Sequence, residues 1–187
     1  MIRSFSVLSL IIFVVLLAGF SNAQSKMAVG LQAGVAVPLG DFGDGYKTGF
    51  GGQGTFAYHL NPMFDVTASV GYLTWSGKDA DYKFSSVPVL AGVRYYFGKD
   101  NFNPYLAGEL GIHFVTFDVP TIVIPGYGTI GGGSESKSYF GFGAGAGFLY
   151  KMGPNLDLDV NAKYNSISTE GSSSSYISIM AGVLIAL

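Results

Sequence analysis

His59 and His113 are the only imidazoles in a chain of 187 residues that has no cysteine. A histidine held by an acid can serve a serine as general base, so the first question is what stands near each. His59 precedes the turn Asn61-Pro62-Met63, and folding the chain back there sets it opposite Asp65. His113 shares its alternating face with Val115 and Phe117, and no local nucleophile accompanies it. Neither has a clear serine partner, so both are expected to be structural and no catalytic residue is assigned. The other candidates are charges: Arg94, Glu109, Asp157, Asp159 and Lys163. They could line a gated path for ions, or they could pair and close it. Absence of Cys removes disulfides, thiol chemistry and an acylated N-terminal cysteine. No His or Cys cluster has metal-ligand spacing. Gly131-Gly132-Gly133 reads as loop, and GFGAGAG lies within a strand rather than at a strand-to-helix turn. No metal and no cofactor are expected.

These charges sit in runs of strict period-two alternation, the signature of strands. In Ser86–Phe97, Val87, Val89, Ala91, Val93, Tyr95 and Phe97 oppose Pro88, Leu90, Gly92, Arg94 and Tyr96. After the polar segment 98–103, Leu106, Gly108, Leu110, Ile112 and Phe114 oppose Ala107, Glu109, Gly111 and His113. Arg94 and Glu109 then share a face of adjacent strands and are expected to pair, with a slip of two residues allowed by parity. The same alternation recurs in Met27–Leu39, Thr48–Leu60, Phe64–Trp75, Ser138–Tyr150, Leu156–Asn165 and Tyr176–Leu187, which makes eight strands. Setting Leu60 opposite Phe64 and Tyr150 opposite Leu156 places His59 against Asp65, Gly147 against Asp159, Gly145 against Asn161 and Gly143 against Lys163. A rail of glycines would leave room for a neighbour's polar side chains.

The breaks alternate long and short: DFGDGYK, Asn61-Pro62-Met63, Ser76–Phe84, 98–103, Asp118–Lys137, Lys151–Asn155 and Ser166–Ser175. In an up-and-down sheet all long loops therefore fall on one side, and both termini fall on the other with the tight turns. Only 12 % of residues are charged, about half the usual 25 %. The net charge of −2 offers no basic patch, so nucleic acid is not an expected partner. Arg3, the apolar run Val7–Phe20 and the small residues Ser21-Asn22-Ala23 read as a signal peptide over residues 1–23, with the domain over 24–187. No later stretch is long and apolar enough to be a membrane-spanning helix.

One face of the strands carries nearly every Val, Leu and Ile, and the other carries the charges, the amides and most of the glycine. A soluble lipocalin-like barrel would turn the apolar face inward around a ligand. A membrane barrel turns it outward to lipid and fills the lumen with the polar face. Aromatic placement favours the second arrangement. Tyr58, Tyr95, Phe97, Phe148 and Tyr150 collect at the short-turn end, and Phe50, Tyr72, Phe114, Phe140 and Tyr164 at the other. Two girdles around an aliphatic middle suit two lipid–water interfaces. Closure also leaves no unpaired backbone edge in hydrocarbon. The expected fold is thus an all-β, eight-stranded antiparallel up-and-down transmembrane β-barrel. Arg94, Glu109, Asp157, Asp159, Lys163, His59 and Asp65 would form a polar network in its lumen, and about eight strands leave an interior only wide enough for side chains.

The stretches VPVLAGVRYYFG, NPYLAGELGIHF and FGFGAGAGFLYKMGPNLDLDVNAKYN resemble the small outer-membrane β-barrel domain family. That group includes the eight-stranded transmembrane domain of outer-membrane protein A and its stand-alone relatives. The resemblance implies an outer-membrane protein of a diderm bacterium, inserted by the barrel-assembly machinery, contacting outer-membrane lipid and working as a monomer. A structural or surface-interaction role is expected, with a possible surface ligand met through the loop Asp118–Lys137. The competing classes are an enzyme that modifies lipid A, as some outer-membrane barrels do with His and Ser or an acid, and the soluble ligand-binding barrel.

Overall fold

The computed structural model describes residues 26–78, 82–98, 100–124, 128–169 and 172–187. The segment read as a signal peptide lies outside the described residues. Eight strands follow in order: β1 (Met27–Leu39), β2 (Gly49–Asn61), β3 (Phe64–Ser76), β4 (Lys83–Tyr96), β5 (Phe102–Ile124), β6 (Gly128–Lys151), β7 (Leu156–Thr169) and β8 (Ser172–Ala186). A six-residue helix, α1 (Gly40–Gly45), lies between β1 and β2. Each strand pairs antiparallel with its sequence neighbour, and β1 pairs with β8 to close the barrel. Both described ends of the chain meet there, Ala28 opposite Ala186. That end, with the turns β2–β3, β4–β5 and β6–β7, is the terminal end of the barrel, and the opposite one is the loop end.

Alternation explains the strands. In β1 the even positions Ala28, Gly30, Gln32 and Ala36 face in, while Leu31, Val35 and Val37 face out and are exposed. The aromatics bound the outer wall at both ends: Phe64 stacks on Tyr95 at 4.8 Å, Tyr95 on Phe97 at 4.9 Å and Phe102 on Phe148 at 5.1 Å at the terminal end. Phe50, Tyr72, Phe114, Phe140 and Tyr164 are exposed at the loop end.

Two segments expected as long loops are strand instead. Asp118–Lys137 is the upper part of the β5–β6 hairpin, paired from Asp118↔Ser134 to Ile124↔Gly128. Ser166–Ser175 is the top of β7–β8, paired to Thr169↔Ser172. Their Gly, Ser and Pro content gives no apolar alternation because these turns stand beyond the girdle, where neither face meets lipid. Backbone pairing needs no such alternation.

Three registers also differ from expectation. Arg94 faces Ala107, and Glu109 faces Gly92. The parity expected for Arg94 and Glu109 holds, but the strands are offset by two residues. Gly92 is what admits Glu109, since a Cβ there would stand 3.0 Å from the Glu109 Cβ. In β6–β7, Tyr150 faces Leu158, so Gly147 faces Asn161, Gly145 faces Lys163 and Gly143 faces Asn165. The turn sets this offset, because the amides of Met152 and Gly153 both donate to the Leu156 carbonyl (2.9 and 3.0 Å) and leave Lys151↔Asp157 as the last pair. In β2–β3 a register shift between His59 and Asn61 puts Asn61, not Leu60, opposite Phe64, while His59 does face Asp65.

Candidate functional site: the barrel lumen

The lumen is built in layers along the barrel. At the terminal end, the Asp65 carboxylate meets His59 Nδ1 through Oδ1 at 2.6 Å and accepts from the Tyr96 hydroxyl through Oδ2 at 2.8 Å. β2 and β3 supply the first two groups from directly opposed positions, and β4 brings Tyr96 alongside. Asp157 lies half-buried at the same mouth, opposite Lys151, and lines one cavity with His59, Asp65 and Tyr96.

The next layer joins strands that are not neighbours. Arg94 on β4 donates through Nη1 to Asp159 Oδ2 on β7 at 2.9 Å, and the Tyr105 hydroxyl on β5 donates to Asp159 Oδ1 at 2.6 Å. The Arg94 guanidinium also lies over the Tyr105 ring, 4.8 Å from its centroid. Both oxygens of a carboxylate only 2 % exposed are thus satisfied, as a buried charge requires. Gln53 donates to Gln32 Oε1 at 2.8 Å, and Gln32 donates to the Asp159 carbonyl at 3.3 Å, which ties β1 and β2 into the same layer.

Above it Lys163 on β7 donates to both oxygens of Glu109 on β5, at 2.8 and 2.9 Å. β6 runs between these two strands and is passable because it presents glycine to the lumen. A Cβ on Gly143 would lie 3.2 Å from Glu109 Oε1, one on Gly145 2.8 Å from Lys163 Cγ, and one on Gly147 2.6 Å from the Tyr105 hydroxyl. The glycine rail expected from the sequence is therefore a trough through which β5 and β7 side chains meet. Asn165 donates to Ser178 Oγ at 3.0 Å and completes this level.

The expected Arg94–Glu109 pair does not form. Each finds its counter-charge on β7 instead, Asp159 for Arg94 and Lys163 for Glu109. Offset strands put the two apart, while curvature of the closed wall brings β7 within reach of both. His113 also differs from expectation: Ser86 Oγ stands 3.2 Å from its Nδ1, and both residues are fully buried. Ser86 lies on β4 two residues from Pro88, which faces His113, so the contact is visible only once that register is known. Among the described residues no three side chains of His, Cys, Asp or Glu converge to hold a metal ion.

At the loop end the interior is apolar, against the expectation of a polar filling throughout. Leu73, Trp75, Phe84, Val115, Ile167, Tyr176 and Met180 form one buried cluster. Phe42 of α1 caps it, 5.4 Å from Trp75 and 5.0 Å from Phe84 between ring centroids, and Trp75 Nε1 donates to the Ala36 carbonyl at 2.9 Å. The signal was present in the sequence, since Trp75 and Phe84 share parity with Asp65 and Arg94. Both lie at strand ends, where Ser76–Phe84 reads as a break.

The family model for the outer membrane protein beta-barrel domain matches residues 6–183. Among solved structures, the fold is similar to Neisserial surface protein A, NspA, at 23% identity and TM-score 0.65, covering 87% of this chain and 98% of that one. A major outer membrane protein from Thermus thermophilus is similar at 16% identity and TM-score 0.61, covering 87% and 99%. Ail, the attachment invasion locus protein of Yersinia pestis, is similar at 20% identity and TM-score 0.50, covering 86% and 97%. No curated protein matches the chain in sequence.

Proposed function

The chain belongs to the outer membrane protein beta-barrel domain family, and from that premise we propose that it is a closed, monomeric barrel that anchors a recognition element at the cell surface. The observation that carries this reading is the β5–β6 hairpin, whose pairing continues to Ile124↔Gly128 after β4 has ended at Lys83↔Asp118 and β6–β7 at Gly141↔Ile167. Segments that project from a rigid scaffold are where recognition resides. With the termini and tight turns on the periplasmic side, the hairpin stands outside the cell. Signal-peptide cleavage after Ala23 and insertion by the barrel-assembly machinery complete the reading.

The lumen supports a closed state. Arg94–Asp159 and Lys163–Glu109 cross it, and the cluster under Phe42 lies above them. Ser86 and His113 are both fully buried, which supports a structural rather than catalytic role for that pair. The test replaces residues 119–133 with a two-residue turn and compares adherence of expressing cells to epithelial monolayers. Loss of adherence with unchanged heat-modifiable gel mobility is expected. Equal adherence by cells carrying either form overturns the surface-recognition reading.

A further inference from the structure

Asn161 and Thr67 are buried polar groups of the lumen that neither ion pair uses. Asn161 stands on β7 between Asp159 and Lys163 and shares their inward face. It is 4 % exposed, and its Oδ1 meets no donor among the described residues. A buried acceptor left unmade costs its full desolvation, so an oxygen in that position calls for a partner. Asn161 borders a cavity of about 10 Å3 that also touches Thr67 on β3, Arg94 on β4, Glu109 on β5 and Lys163 on β7. Gly92 lets two of these groups come together: a Cβ there would stand 2.9 Å from Thr67 Oγ1 and 3.0 Å from the Glu109 Cβ.

We propose that this cavity is the binding site of one ordered water, which donates to Asn161 Oδ1 and joins it to the Thr67 hydroxyl. Size selects the occupant, since roughly 10–15 Å3 is what a single water needs. Charge selects it as well. A cation would face Arg94 and Lys163, and an anion would face the Glu109 carboxylate and the Asn161 oxygen. Water donates to one group and accepts from another, and the lining supplies the two to four polar partners that such a site requires. The cavity touches both Arg94 and Lys163, so the water stands between the Arg94–Asp159 and Lys163–Glu109 levels and links them. It also braces the barrel across its middle. The ion pairs tie β4 and β5 to β7, and the Gln53–Gln32 chain ties in β1 and β2. The water supplies the corresponding tie from β3.

The test uses the folded full chain, labelled with nitrogen-15, in detergent micelles. Nuclear magnetic resonance reads magnetisation transfer from water to the Asn161 side-chain amide in the laboratory and rotating frames. Transfer of opposite sign in the two frames is expected, the mark of a water that resides in its site. A substitution cycle in urea tests the bridge. Thr67→Val and Asn161→Leu should each lower the folding equilibrium constant about tenfold, the usual worth of a hydrogen bond. The double variant should also lose about tenfold, because the second change removes a bridge already broken. Heat-modifiable mobility reports that each variant is folded, and if Asn161→Leu does not fold, the transfer measured on the parent decides. No transfer to Asn161, transfer of the same sign in both frames, or losses that multiply in the double variant overturns the proposal. Asn161 amide signals that move when sodium chloride replaces choline chloride overturn it in favour of a bound cation.

Discussion

Removing Arg94 would leave Asp159 with the Tyr105 hydroxyl but without its cation. Breaking a buried pair by deleting one partner costs about 3–5 kcal/mol. Arg94→Ala should lower unfolding stability by roughly that amount in urea titrations in micelles, while single-channel recordings in planar bilayers stay closed. A large steady conductance would sink the closed-lumen reading. Replacing both partners, Arg94→Met with Asp159→Leu, should recover most of the loss, because no unpaired charge remains. Which face each charge occupies was legible in the sequence, since parity alone decides it. Which charges pair was not: Arg94–Asp159 and Lys163–Glu109 join strands two or three apart. Such contacts depend on closure and on the stagger of every intervening strand. Ser86 beside His113 stayed hidden because parity alone does not fix the β4–β5 register that sets His113 opposite Pro88.

Among the elements, β6 carries the sharpest demand on residue type. Gly141, Gly143, Gly145 and Gly147 all face the lumen, and a Cβ on Gly147 would stand 2.6 Å from both the Tyr105 hydroxyl and the Val160 carbonyl. Gly147→Val should displace Tyr105 and destabilise the barrel by about 1–3 kcal/mol, the usual range for overpacking. Gly108→Val on the outward face of β5 is the control, since a Cβ there meets nothing within 4 Å, and its urea midpoint should be nearly that of the parent. Equal effects from the two would mean that loss of a strand glycine as such, not filling of the trough, costs the stability. The membrane-crossing portions of the strands were legible to within a few residues because each has one face on lipid and one on the lumen. β1 and the start of β3 fall where the alternation puts them. The upper β5 and β6 were not legible: beyond the girdle nothing selects apolar residues on one face.

At the scale of the molecule, an even strand count and breaks of alternating length were enough to give an antiparallel closed barrel. The β1–β8 seam, Ala28 to Ala186, is then forced by the need to pair every backbone group in hydrocarbon. What pattern alone did not give was the division of the lumen into a charged part and an aromatic part. That division has an optical consequence. Trp75 is the single tryptophan, 1 % exposed and ringed edge-on by Phe42, Phe84 and Tyr176. Its fluorescence should shift to the blue on folding and then resist quenching from two sides, by acrylamide in the water and by brominated acyl chains in the bilayer. A tryptophan on the outer wall would yield to the brominated lipid, and that result would reverse the facing of β3. The protein thus carries its own probe of barrel closure, placed where neither solvent can reach it.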